Sequence, residues 1–204
     1  DVALGARLML LAAMGDGLDG VVARRTGGSD VGSYLDSLAD VAAFGVAPGL
    51  VVFAAVRRSW ELVGVGLRPR VILAVAVPAL FLGVVVVRLA FYTADQTDIE
   101  HTLGVPSTLS ATLLGSTVLA GHGTPTVLLV GAAGLTYLMM ADIQYPDLLA
   151  RDAFLMGVVH GLAVVFPQVY GRGFPYALLT LAIAYLLLGP RFYWREWADS
   201  GARA

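Results

Sequence analysis

Cysteine, lysine and asparagine are all absent from this 204-residue chain. Without cysteine there can be neither disulfides nor thiolate chemistry, and the redox compartment is left unread. Without lysine there can be no Schiff base and no lysine contact to phosphate, and all 13 basic residues are arginine. Charge is scarce in general: 14% of residues are charged against 58% hydrophobic. The formal net charge of -2 points to no class of partner, and no nucleic acid is expected. The apolar excess is more than a soluble domain hides in one core, so an integral membrane protein is expected. The first residue is aspartate and no signal-peptide pattern precedes the first apolar run, so the chain is expected to begin inside a longer one.

What is present is a series of long apolar runs. Residues 2 to 24, 32 to 56, 69 to 93, 124 to 141 and 173 to 190 each have about the length a helix needs to cross the hydrocarbon. Residues 107 to 121 and 152 to 168 are shorter candidates. Only helices and closed barrels satisfy the backbone in lipid, and runs this long exclude a barrel. The expected fold is all-α, a polytopic transmembrane bundle of about seven helices forming one domain over residues 1–204. Alternating the spans puts the connections at 25 to 31, 94 to 106 and 142 to 151 on one face, with the C-terminus. Arg57, Arg58, Arg68 and Arg70 fall on the other, which the positive-inside rule alone would make cytoplasmic. The aromatic and arginine-rich tail, with Phe192, Tyr193, Trp194 and Trp197, reads as an interfacial anchor.

Asp16, Asp19, Asp36 and Asp40 interrupt the first two apolar runs. Each ionised aspartate at a helix centre costs on the order of 2.5–3.5 kcal/mol on insertion scales, so four of them need compensation. The i, i+3 and i, i+4 spacings put each pair on one helix face. The Gly-Gly connection between them makes a tight hairpin in which the two acidic faces can converge. Four converging carboxylates repel unless cations lie between them, and oxygen-only ligands favour Mg²⁺, Mn²⁺ or Ca²⁺ over zinc. Two such ions held by shared carboxylates suit phosphoryl displacement. Gly17, Gly20 and Gly32 beside the acidic faces fit either close substrate approach or helix packing through small residues. Arg24 is placed to hold a phosphate oxygen or to cap its helix.

The pattern Asp16-x2-Asp19-Gly20-x2-Ala23-Arg24, followed by Gly32-x3-Asp36-x3-Asp40, resembles the signature of the CDP-alcohol phosphatidyltransferase family. The gap from Arg24 to Gly32 is shorter than usual by about one residue, a change confined to the loop. "YLDSLADVAAFGVAP", with weaker likenesses at residues 88 to 93, 104 to 114 and 138 to 146, is similar to the phosphatidylserine synthase branch and to its archaeal, archaetidylserine synthase-like members. Phe91 and Thr93 stand where that branch commonly has a further arginine and an asparagine.

The resemblance implies a CDP-alcohol phosphotransferase fold with a further helix upstream of residue 1. It implies transfer of a phosphatidyl or archaetidyl group from CDP-diacylglycerol or CDP-archaeol to L-serine, with CMP released. It makes Asp16, Asp19, Asp36 and Asp40 metal ligands for two Mg²⁺ or Mn²⁺ ions, and Asp40 also the general base. Gly20, Ala23, Arg24 and Gly32 would line the CDP-lipid. It implies a homodimer in the lipid bilayer of the cell membrane. Because CDP-lipid and serine are cytosolic, it also makes the aspartate face cytoplasmic, against the arginine count.

Arg88 lies inside the third long run, where it either snorkels or functions, most plausibly by holding the serine carboxylate or a phosphate. Asp95, Asp98, Glu100 and His101 read as a solvated loop, and Asp142 as an interfacial helix end. His122 and His160 lack partners at metal-ligand spacing and read as structural. Two alternatives remain open: the same chemistry on glycerol phosphate or inositol phosphate, and cation transport, which would instead distribute acids along a path through the membrane.

Overall fold

The computed structural model describes residues 1–26, 30–62, 68–94, 101–146 and 150–193. Within those ranges it describes every side chain except those of residues 20–26, 30, 33, 94, 101, 102, 146, 150–153, 192 and 193. Helix α1 is Val2–Thr26, and α2, Asp30–Asp40, continues through a π-helical segment, Val41–Val46, into α3, Ala47–Ser59. Then come α4 (Pro69–Ala94), α5 (Ser107–Leu119), α6 (Pro125–Met139), α7 (Ala150–Val165) and α8 (Gly173–Leu188), the last extended by π turns over Gly189–Tyr193. Since α2, the π segment and α3 form one continuous rod, the described residues build the expected seven helical rods.

Among the described residues three rods are long and apolar enough to cross a membrane, over Tyr34–Ser59, Pro69–Thr93 and Gly173–Arg191. The expected span at 124 to 141 is shorter, because Thr124 caps α6 at its start and Met140 closes it. Large apolar side chains such as Leu8, Leu50, Leu80, Val130 and Leu187 point outwards, more than half exposed. On a bundle whose interior is already packed, that outer face is matched to lipid, and the protein is an integral membrane protein.

The interior is built where small residues let helices close up. A Cβ on Gly45 would come 2.9 Å from Leu82 of α4, and one on Gly115 2.8 Å from Met9 of α1. Phe44, fully buried inside the π segment, packs with Met9 of α1 and Ala111 of α5. Buried hydroxyls are satisfied locally: Ser116 Oγ donates to the Thr112 carbonyl at 2.6 Å and Thr136 Oγ1 to that of Ala132 at 2.7 Å.

Two short strands, β1 (His101–Leu103) and β2 (Gln144–Pro146), pair antiparallel, with Thr102 opposite Tyr145. This ribbon joins the connection after α4 to the one after α6, so both lie at one end of the bundle, as the alternating topology requires. The buried Tyr145 donates from its hydroxyl to the Leu186 carbonyl at 3.0 Å and brings the end of α8 to the same place. At the other end, Arg70 stacks over Trp60, and His122 meets Tyr176 edge-on at 5.5 Å.

Candidate metal and substrate centre

Asp16 comes from the second half of α1, and Asp36 and Asp40 from the last two turns of α2. Each of the three offers a carboxylate oxygen, and these oxygens lie within 4.8 Å of one another. Asp16 and Asp40 are half-buried, whereas Asp36 is exposed and forms the open side of the cluster. The i, i+4 step puts Asp36 and Asp40 about 40° apart on their helix, close enough to act together. Asp19, expected in the same set, is exposed and outside the three-oxygen group, though its charge still acts on Asp16.

The surroundings supply both a polar neighbour and a counter-charge. Thr108, in the first turn of α5, lies close enough to the Asp16 carboxylate to act on it. Arg88 of α4 interacts electrostatically with Asp40. Its Nη2 donates to the Leu103 carbonyl of β1 at 3.2 Å, while its buried Nε has no partner among the described residues. Five residues beyond Arg88, Thr93 Oγ1 donates to the Leu89 carbonyl at 2.8 Å. That single hydroxyl proton is thereby used, so Ser37 is the donor in its 2.6 Å bond to Thr93 Oγ1. This bond ties α2 to α4 beside Asp36.

Gly17 is exposed, and among the described residues a Cβ there would meet nothing within 4 Å. Gly32 is partly exposed on α2. Gly20, Ala23 and Arg24 belong to α1, but the Ala23 and Arg24 side chains and the surroundings of Gly20 lie outside the described set, as do residues 95–100 and the side chain of His101. Trp194 and Trp197 lie outside it as well. Asp142 is exposed and outside the three-carboxylate group.

His122 and His160, expected to be structural, lie away from the carboxylates: His122 meets Tyr176 edge-on. His160 Nδ1 faces the Met156 carbonyl at 2.8 Å and must carry the proton there, so Nε2 accepts from the Thr112 hydroxyl at 3.2 Å. Four features were not read from the sequence: Thr108, the π segment beside Asp40, the Ser37–Thr93 bond and the β1–β2 ribbon behind Arg88. Each depends on residues brought together by packing.

The donor set of the cluster is all oxygen and anionic, which fits a hard divalent cation and not zinc. Fold and site together define a polytopic helical membrane protein with an acidic centre near one end of the bundle. A family model described as CDP-alcohol phosphatidyltransferase matches residues 1–165, and the chain belongs to that family. It is 30% identical over 142 residues to the archaetidylserine synthase of Methanothermobacter thermautotrophicus, covering 68% of this chain and 56% of that protein. It is 30% identical over 185 residues to the CDP-diacylglycerol–serine O-phosphatidyltransferase of Methanocaldococcus jannaschii, covering 89% and 80% respectively. The protein of that name in Bacillus subtilis is 29% identical over 132 residues, covering 64% and 68%. The chain thus spans little more than half the length of the Methanothermobacter relative.

Proposed function

We propose that this chain transfers a phosphatidyl-type group, phosphatidyl or archaetidyl, from a CDP-activated lipid to the hydroxyl of L-serine. The observation that carries the reading is the meeting of Asp16, Asp36 and Asp40 within 4.8 Å at one end of a membrane bundle. The names of the relatives supply the acceptor. In this reading Asp16, Asp36 and Asp40 hold two divalent ions, Mg²⁺ or Mn²⁺ with Ca²⁺ as a substitute, and Asp19 joins them from the next turn of α1. When bound, such ions neutralise charge on the diphosphate and on the departing CMP.

The remaining roles belong to side chains. Asp40, deepest along α2 and facing Arg88, accepts the serine hydroxyl proton as the serine oxygen forms its bond to the phosphorus that carries the lipid alcohol. The bond from that phosphorus to the oxygen shared with the CMP phosphate breaks, and CMP leaves with the electron pair. Arg88 binds the serine carboxylate: a buried guanidinium nitrogen without an acceptor, as Nε is among the described residues, costs about 1–3 kcal/mol, which an anionic ligand would recover. Arg24, with Gly20, Ala23 and Gly32, lines the CDP moiety. The aspartate end faces the cytoplasm, where both substrates are made, and the active form is a homodimer.

Purified protein offered CDP-lipid, Mn²⁺ and a panel of labelled alcohols tests this. We expect CMP release with serine and not with glycerol phosphate or inositol phosphate. Release with one of those alone would overturn the serine assignment, and no release with any alcohol would overturn the enzyme reading.

A further inference from the structure

Asp40 and Arg88 are bracketed by two contacts between their helical rods. Towards the middle of the bundle, a Cβ on Gly45 would lie 2.9 Å from Leu82 and 3.2 Å from Val85. Towards the aspartate end, Ser37 Oγ donates to Thr93 Oγ1 at 2.6 Å, and Thr93 donates in turn to the Leu89 carbonyl at 2.8 Å. The rods are antiparallel, with eight residues from Ser37 to Gly45 and eight from Val85 to Thr93, so one register makes both contacts. Asp40 lies three residues inward of Ser37 and Arg88 five inward of Thr93, steps of about 4.5 and 7.5 Å. The backbones that carry the two side chains are therefore matched in depth to about 3 Å.

The two contacts differ in kind. Around the inner one, Phe44, Val52, Val56, Phe81 and Val85 are buried. No described side chain of α2 is buried, and Val31, Tyr34, Leu35 and Leu38 are each at least 60% exposed. In the last turn of α4, Phe91 and Tyr92 are also more than half exposed. Apolar packing within this chain therefore does not fix α2, although α2 carries two of the three clustered carboxylates. The hydroxyls of Ser110, Thr117 and Thr136 turn back on their own helices. That of Ser37 instead reaches across to another helix.

We propose that Ser37 and Thr93 are positioning residues for the reaction, their hydrogen bond holding α2 against α4 so that Asp40 stands in register with Arg88. This rests on the transferase reading above, in which Arg88 holds serine on α4 while the carboxylates of α1 and α2 hold the metals and the diphosphate. The two substrates are then bound on different helices, and the hydroxyl pair aligns them. Breaking it leaves each substrate its own binding groups but lets the proton acceptor and the serine hydroxyl drift apart. Misplacement of that kind lowers the rate of the chemical step and not the affinity for either substrate.

The test is a double-mutant cycle on detergent-purified protein given CDP-lipid, L-serine and Mn²⁺, with kcat expressed per CDP-lipid site counted by equilibrium binding. Ser37→Ala and Thr93→Val should each lower kcat about tenfold or more, with the KM for serine and for CDP-lipid near the wild-type values. The double variant should be no slower than the slower single one, because both remove the same bond. Ser37→Thr and Thr93→Ser keep both hydroxyls and should stay close to the wild type. An unchanged kcat in Ser37→Ala, losses that multiply in the double variant, or a loss carried by KM would overturn the positioning role while leaving the transferase reading intact. Wild-type protein without serine-dependent CMP release would overturn both. Should Thr93→Val fail to fold, Ser37→Ala against Ser37→Thr makes the decisive comparison.

Discussion

In the proposed reaction Asp40 takes the proton and Arg88 holds the acceptor, and each role makes its own prediction. Asp40→Asn keeps the shape but removes the proton acceptor. Turnover should fall about 10²- to 10⁴-fold while CDP-lipid binding changes little, as measured by CMP release and by equilibrium binding. A parallel loss of binding would make Asp40 chiefly a ligand to metal and substrate. Arg88 is anchored on one side by the Leu103 carbonyl, so its planar fork presents a fixed edge to an anion. Arg88→Lys should raise the KM for serine about tenfold or more, the KM for CDP-lipid staying near its original value. Kinetics with each substrate varied in turn would show whether that split exists.

At the scale of the element, the β1–β2 ribbon positions Arg88, and one glycine makes the ribbon possible. Gly104 has φ +70°, and a Cβ there would collide with the Met139 carbonyl oxygen. Gly104→Ala should therefore destabilise the protein by at least about 1–3 kcal/mol, visible as a lowered thermal midpoint in detergent. The loss should be larger than for Tyr145→Phe, which forfeits only the bond to Leu186, about 0.5–1.5 kcal/mol. Burial raises the pKa of the Tyr145 hydroxyl, so it remains a donor throughout the neutral range.

The seven rods were legible in the sequence because apolar runs of spanning length have few other uses in a polar-poor chain. Asp36 and Asp40 were legible because an i, i+4 step places two carboxylates on one face wherever the helix docks. Asp19 was less so: an i, i+3 step turns it about 60° from Asp16, and the docking of α1 decides which of the two faces the cluster. Thr108 could not be read at all, since its nearness to Asp16 depends on how α5 packs against α1, where Gly115 meets Met9. The π segment escaped for a related reason. Nothing in "VAAFGV" favours a wide turn by propensity, and its setting is the burial of Phe44 and the close approach of Gly45 to Leu82.

For the whole molecule, orientation in the membrane is the point at which two physical rules disagree. The arginines at 57, 58, 68 and 70 favour one end as cytoplasmic, and the origin of the substrates favours the other. The absence of cysteine makes the question direct: Gln144→Cys marks the aspartate end and Ser59→Cys the arginine end, each as the sole thiol. Gln144→Cys should react with a membrane-impermeant maleimide only in inside-out vesicles, and Ser59→Cys only in right-side-out ones. The reverse pattern would put the carboxylates on the side away from CDP-lipid synthesis.

The most direct measurement is the yield of CMP and of serine-labelled lipid from purified protein given CDP-lipid, L-serine and Mn²⁺, before and after chelation by EDTA. The account predicts equal amounts of the two products, both lost on chelation and restored by added Mn²⁺ or Mg²⁺. Equal products that persist undiminished in excess EDTA, or CMP formed without any serine lipid, would contradict it.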